Sequence, residues 1–313
     1  MSKTKKDKKN SLRLKKQKMI IAATVLVFAL LVGVIIFQSK KIQDSKSDSA
    51  APMSCLETGL CDVGVSYSDG IPGFRVKNGK EYFGFDVDLA NYMTAQLGRG
   101  APVFVQADRD QSLTSPDKPV HMFISTVSMT DDRLKHMTFV GPYMRTFQGI
   151  AVARESLIQT SADLDHKTIC AAESTTSSQA LVDYKKVHPI DPRTEATTEQ
   201  CIEKVAKGLY DAVTGDYITL QTHAHANKAL RAVPNIRLSD GYELYGIALP
   251  KDSMALCERL KPLLKDFIRE KWEAVFDSNL KDLGITYDPT NTSIPSLKPG
   301  ENLVDIYSCK QQE

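Results

Sequence analysis

Met19 to Phe37 is a run of nineteen residues without a charge, nearly all of them apolar. As a helix rising 1.5 Å per residue it spans roughly 29 Å, about one bilayer hydrocarbon core. No other feature constrains the chain so strongly, because this run decides on which side of a membrane the rest must fold. Residues 1–18 carry nine Lys/Arg and one Asp, net +8 against +2 for the whole chain, which leaves −6 for the remainder. A basic flank of this kind stays in the cytoplasm, so residues 38 onward face outward. The basic density therefore belongs to the membrane, and nucleic acid is not an expected partner. A cleaved signal has an apolar region of about 7–15 residues closed by small side chains. Here the run ends in Ile35-Ile36-Phe37-Gln38, and no lipid-accepting cysteine follows directly. The expectation is an uncleaved signal anchor with a single-pass location in the cell membrane and an extracellular C-terminal domain; processing near Ala51 is the alternative. Residues 38–54, rich in Ser, Lys and Asp, read as a flexible linker.

Outward placement bears on the six cysteines, at 55, 61, 170, 201, 257 and 309. In an oxidising compartment they are most simply three disulfides, and fifteen pairings are possible. Their order along the chain suggests Cys55–Cys61, Cys170–Cys201 and Cys257–Cys309. No paired CxxC spacing argues for a metal, and His223 and His225, two apart on a helix, face different ways. No cofactor or metal is expected.

Beyond the linker, strand-like and helix-like segments alternate. Val63–Tyr67, Pro102–Ala107, His121–Ile124, Met137–Tyr143, Gly149–Ala153, Leu164–Ala171, Tyr210–Asp216 and Tyr242–Leu249 read as strands. Phe74–Lys80 reads as a hairpin around Asn78-Gly79. Helices are expected from Phe83 to about Leu97 with Asp86 as cap, over Glu199–Leu209, over Tyr217–Asn227 and from Ser253 to about Phe276. The alternation predicts an α/β chain with mainly parallel sheets, in two lobes joined by two crossings near Ala153 and Gly241. On that reading residues 55–153 plus 242–286 form lobe 1 and 154–241 form lobe 2. Residues 287–313 are a C-terminal extension packed on lobe 1.

Chemistry concentrates at strand ends. Ile124-Ser-Thr-Val-Ser-Met-Thr-Asp-Asp-Arg133 packs four hydroxyls and one guanidinium after a buried strand. A guanidinium matches a carboxylate bidentately, and a following helix start favours negative charge. Ser174-Thr-Thr176 repeats the hydroxyl nest at another strand-to-helix transition, and Asp216 places a carboxylate at the end of a third strand. Ligands of such sheets bind outside the carboxyl ends of the strands, in a cleft between lobes. Asp86 and Asp88 read as helix-start residues rather than an acid/base pair.

In order along some 225 residues come Gly84-Phe-Asp-Val-Asp-Leu-Ala90, Ser125-Thr-x-Ser-x-Thr-x-x-Arg133, Val140-Gly-Pro-Tyr143, Ser174-Thr-Thr176, Asp211-Ala-Val-x-x-Asp216 and Tyr245-Gly-Ile-Ala-Leu-Pro250. Residues from about 62 to 286 thereby resemble the family-3 solute-binding proteins of polar amino-acid ABC importers. These have the two-lobed type II periplasmic-binding fold, and the likeness is nearest to the glutamate/glutamine branch of actinobacteria. The resemblance implies that Arg133 grips the ligand α-carboxylate with Thr126, Ser128 and their backbone. Thr175 or Thr176 adds donors from the second lobe, and Asp216 accepts the α-ammonium. The first loop, Ser68–Phe74, lacks the family's usual stacking aromatic, so Phe74 or Tyr67 is the substitute. An acidic ligand side chain needs a second cation, for which Arg75, Arg145 and Lys77 are candidates.

The resulting expectation is a monomeric, membrane-tethered, non-enzymatic amino-acid-binding protein, for glutamate, glutamine or another polar amino acid. It would serve ABC permease subunits or, through a membrane sensor partner, act as a ligand-sensing ectodomain. An enzyme on the same scaffold, a dehydratase or transglycosylase, requires a general acid in the cleft, and no glutamate stands at a comparable strand end.

Overall fold

In the computed structural model the described residues are 55–59, 61–65, 75–77, 81–107, 113, 120–285 and 298–310, all within the compact unit Pro52–Glu313. The expected membrane anchor over 19–37 and the linker 38–54 lie outside them, as do Tyr67, Ser68–Phe74 and the side chains of Arg75 and Lys77. Among the described residues no helix is long and apolar enough to cross a membrane.

The helices are α1 (Cys55–Thr58), α2 (Phe85–Gln96), α3 (Asp131–Leu134), α4 (Thr176–Lys185), α5 (Thr198–Ala206), α6 (Tyr217–Ala226), α7 (Met254–Glu270), α8 (Trp272–Leu280) and α9 (Glu301–Tyr307). One sheet takes the order β4-β1-β5-β12-β6, with β1 Asp62–Val65, β4 Val103–Gln106, β5 Met122–Phe123, β6 Met137–Thr146 and β12 Glu243–Pro250. The other runs β11-β7-β10-β8-β9, with β7 Gln148–Ala153, β8 Thr168–Ala172, β9 Asp191–Glu195, β10 Ala212–Asp216 and β11 Leu230–Val233. A short hairpin pairs β2 (Arg75–Lys77) with β3 (Glu81–Phe83).

Several expectations change. The sheets are mixed rather than mainly parallel. β1 pairs in parallel with β4 and β5, and β8 with β9 and β10, but β12 and β7 are antiparallel to their neighbours. β7 is reached from β6 through the single residue Phe147, with no helical crossover to reverse its direction. For the same reason the first crossing lies at Phe147, not near Ala153, and Gly149–Ala153 belongs to the second sheet instead of closing the first lobe. Apolar content reveals that a strand exists but not which sheet receives it. Finally, Asp86 does not cap α2: Gly84 holds that position, and Asp86 turns inward, 1% exposed.

Period-2 alternation explains how the second sheet buries both faces. Ile169, Ala171 and Ala212 point to one side, where Leu181 of α4 packs. Cys170 and Val213 point to the other, against Ile202 and Val205 of α5 and Leu220 of α6. In the first lobe the Phe85 ring stacks on Tyr143 at 6.1 Å and meets Trp272 edge-on at 5.7 Å. The Trp272 indole donates to the Tyr143 carbonyl at 2.7 Å, so this aromatic core leaves the indole N–H satisfied. What reads as one helix over 253–276 is two, α7 and α8, separated at Lys271.

Disulfides join Cys55 to Cys61, Cys170 to Cys201 and Cys257 to Cys309, with Cα separations of 4.8, 5.6 and 5.7 Å. The last ties the tail to the first lobe. There Val304 of α9 is buried, and the Ser308 hydroxyl donates to the Gly141 carbonyl at 3.1 Å. Cys170–Cys201 fastens β8 to α5, whose ends both border the cleft, across a sequence separation of 31. Loop-closure entropy for a ring of that size is about 3–4 kcal/mol. Replacing both cysteines with serine is expected to lower the unfolding free energy by about that amount, read as a lower denaturant midpoint with a somewhat steeper slope, since the unfolded chain without the cross-link exposes more surface.

Candidate functional site

Between the sheets lies a cleft of about 400 Å³ bordered by both lobes. The first lobe supplies Ser125, Thr126, Ser128 and Arg133; the second supplies Ser174 to Ser177, Ala196 to Glu199, Asp216 and Thr219.

The first-lobe loop is held by its backbone. Gly246 donates to the Val127 carbonyl at 2.9 Å and Met129 to the Leu244 carbonyl at 2.8 Å, which zips residues 127–129 onto β12. Thr126 has φ 49°, and its N–H turns inward to the Asp86 carboxylate at 2.9 Å and the Tyr143 hydroxyl at 3.1 Å. That N–H is committed to the core, so of the Thr126 donors only the side chain is left to the cleft, contrary to the expected use of its backbone. Thr130 caps α3 by accepting from the Arg133 N–H, and Arg133 Nη1 donates to the Ser128 carbonyl at 2.8 Å. The guanidinium is thus braced by the loop that it serves.

In the second lobe, Ser174 has φ 57° and Thr175 caps α4. The Thr175 hydroxyl donates to the Ala172 carbonyl at 2.7 Å and accepts from the Ser178 N–H at 3.1 Å. It is therefore a structural cap, and the N–H groups of Thr176 and Ser177, ahead of the first intrahelical bond, are the backbone donors at this end. Asp216 ends β10, where Gly215 and the next turn bring it to the cleft; its carboxylate accepts from Gln148 Nε2 at 2.7 Å and from the Tyr245 hydroxyl.

Of the residues expected from sequence, Arg133, Ser128, Thr126, Thr175, Thr176 and Asp216 border this one cleft. Arg145 does not: its guanidinium lies over the Tyr242 ring, 5.3 Å from the centroid, where β6 and β12 leave the first sheet. Phe74 lies outside the described residues, and so does the Arg75 side chain. Three participants escaped sequence reading. Gln148 is a single amide between Phe147 and Gly149, in a stretch that reads only as strand. Tyr245 opens a recognisable segment without announcing that its hydroxyl faces the other lobe. Glu199 borders the cleft from the start of α5, not from a strand end, with its carboxylate 3.8 Å from His223 Nε2. Burial holds His223 below its usual pKa, against the pull of Glu199.

Two carboxyls are pushed up to about 7. Burial does this at Asp86, against hydrogen bonds from Tyr143 and Thr126. At Asp216 burial acts first and Glu243 adds to it, against Tyr245, Gln148 and Arg133. Each keeps its proton to near pH 7 when folded, but only to about pH 4 when unfolded. The folded state holds more protons in that window, so stability falls as pH rises from 4 through 7. Carboxylates held low, such as Glu195 beside Lys204, act below it. The unliganded protein is expected to melt at a lower temperature at pH 8 than at pH 5.5, and Asp86→Asn to flatten part of that slope. A melting temperature that rises between those pH values would contradict the assignment.

The profile of bacterial extracellular solute-binding proteins, family 3, matches residues 63–280. A glutamate-binding protein of Corynebacterium efficiens is 26% identical over 232 residues, 68% of this chain and 76% of its own length. A glutamine-binding protein of Geobacillus stearothermophilus is 25% identical over 207 residues, covering 63% and 75%. Among solved structures, an arginine-binding protein of T. maritima superposes with a TM-score of 0.62 at 26% identity, over 72% of this chain and 97% of that one. With its two mixed sheets, a hydroxyl-lined cleft between them and more than half its length matched, the chain belongs to the bacterial extracellular solute-binding proteins, family 3.

Proposed function

We propose that this protein binds a single polar α-amino acid as a zwitterion in the cleft. The observation that carries this reading is that Arg133 from one lobe and Asp216 from the other border the same small cavity. A zwitterion needs one fixed cation and one fixed anion a few ångströms apart, and each charge-assisted bond in a dry cleft contributes about 1.5–3 kcal/mol. Arg133, with the hydroxyls of Thr126 and Ser128, takes the α-carboxylate; the first N–H groups of α4 and the Thr176 hydroxyl complete its shell. Asp216 takes the α-ammonium, which holds it ionised against the burial that otherwise favours its proton.

Relatives named for glutamate and glutamine support a ligand of that size and polarity. Met19–Phe37 would anchor the protein at the outer face of the membrane, where closure of the lobes around the ligand presents it to the permease of an ABC importer. Glutamate calls for a second cation at the side-chain end, for which Arg75 and Lys77 stay as candidates, their side chains lying outside the described residues.

Calorimetry of the full chain against each of the twenty amino acids tests the proposal; no heat from any of them overturns it. Arg133→Ala is expected to weaken binding at least 100-fold while moving the melting temperature of the empty protein little, because the side chain is only half-buried at the edge of the cleft and lies outside the hydrophobic core. Loss of fold in that variant would make the arginine structural. Asp216→Asn is expected to lose amino acids while keeping whatever weak affinity the site has for acids that lack the amino group.

A further inference from the structure

Gln148 sits where the chain leaves the first sheet for the second, is 1% exposed, and touches Asp216 without being given a part in holding the amino acid. Sheet register fixes it directly opposite Asp216, since the two are paired residues of antiparallel β7 and β10. Its Nε2 donates to Asp216 Oδ1 at 2.7 Å and to Thr176 Oγ1 at 3.1 Å. An amide nitrogen has two hydrogens, so this pair of acceptors exhausts it. The opposite placement of nitrogen and oxygen would set a carbonyl against a carboxylate, which fixes the orientation of the amide. Its Oε1 is buried with no hydrogen-bond partner among the described residues, an arrangement that stability alone does not favour.

The direction of these bonds has a consequence for Thr176. Its oxygen accepts from Gln148, so its own hydrogen must point elsewhere, and the cleft borders it. Thr175 has no such hydrogen to offer, having given it to the Ala172 carbonyl. On the other side of Asp216 the second oxygen is taken by the hydroxyl of Tyr245, a fully buried residue of the first sheet.

We propose that Gln148 is a positioning residue that makes the ammonium acceptor and the second-lobe carboxylate donor a single unit. It holds Asp216 and orients the Thr176 hydroxyl from one amide, with Tyr245 fixing Asp216 from the opposite lobe. This rests on the amino-acid reading above. The charged groups that act on Asp216 are Glu243 and Arg133. The Asp216 carboxylate accepts from the Gln148 amide and from the Tyr245 hydroxyl, so withdrawing the Gln148 donor leaves the Tyr245 bond in place.

The probe is whichever of the twenty amino acids the full wild-type chain binds most tightly. Gln148→Met, which keeps length and apolar volume but removes both donors, is expected to weaken that ligand roughly 10- to 100-fold. It should also move the acid-side loss of affinity to higher pH by about one unit, because Asp216 loses a bond to its charged form. A residue that only packed would change the melting temperature and leave this pH profile in place. Tyr245→Phe is expected to produce the same pH displacement. In a cycle with Thr176→Val, the Gln148→Met loss should shrink, since one threonine hydroxyl is no longer there to orient. Should Gln148→Met not fold, Gln148→Glu, of the same size, is expected to weaken binding more at pH 8 than at pH 6, where the two facing carboxyls share a proton. Binding by wild type with unchanged affinity and pH profile in these variants, or full additivity with Thr176→Val, overturns the inference alone. A wild-type protein that binds no amino acid overturns the function and the inference together.

Discussion

One carboxylate, that of Asp216, lies where the two sheets meet and is held from both. Gln148 reaches it from the first strand of the second sheet, and Tyr245 from the returning strand of the first. Burial alone would keep the proton on this group, and the neighbouring Glu243 pushes the same way. Two donors and the cation at Arg133 offset that tendency and leave the carboxyl balanced near neutrality. On the proposed function, pairing with a ligand ammonium would favour the ionised form of this group.

Asp216 is bonded to residues of both sheets, Gln148 of the second and Tyr245 of the first. The Ser174–Ser177 nest and the Thr197–Glu199 edge stand further out on the second lobe, with donors and one acid pointed at the cleft. Cys170–Cys201 ties together the strand that leads to the nest and the helix that begins at that edge. On the proposed function, a ligand that touches both lobes would stabilise a closed state selectively.

Much of this was legible along the chain. The hydroxyl-rich corner ending in Arg133, the nest at Ser174–Thr176 and the acid at Asp216 each carry a local signature of a strand end followed by a capped helix. The three disulfides follow chain order. Less was legible in the supporting residues. Gln148 and Tyr245 act across sheets, on partners 68 and 29 residues away, and nothing in their own neighbourhoods marks that reach. Asp86 carries the sequence mark of a cap, but Gly84 takes that position and leaves the carboxylate to hold the N–H of Thr126.

By itself the sequence determined most of the elements, the α/β class and the clustering of hydroxyls, one guanidinium and one carboxylate at strand ends, because these depend on local periodicity and residue type. Only the tertiary structure decided which sheet received Gly149–Ala153, since a strand's apolar pattern is the same on either side of a crossing. It alone separated the donors still open to the cleft from those already committed, at Thr126 and Thr175. That distinction depends on which partner each N–H or O–H finds, and partners far apart in the chain meet only when it folds.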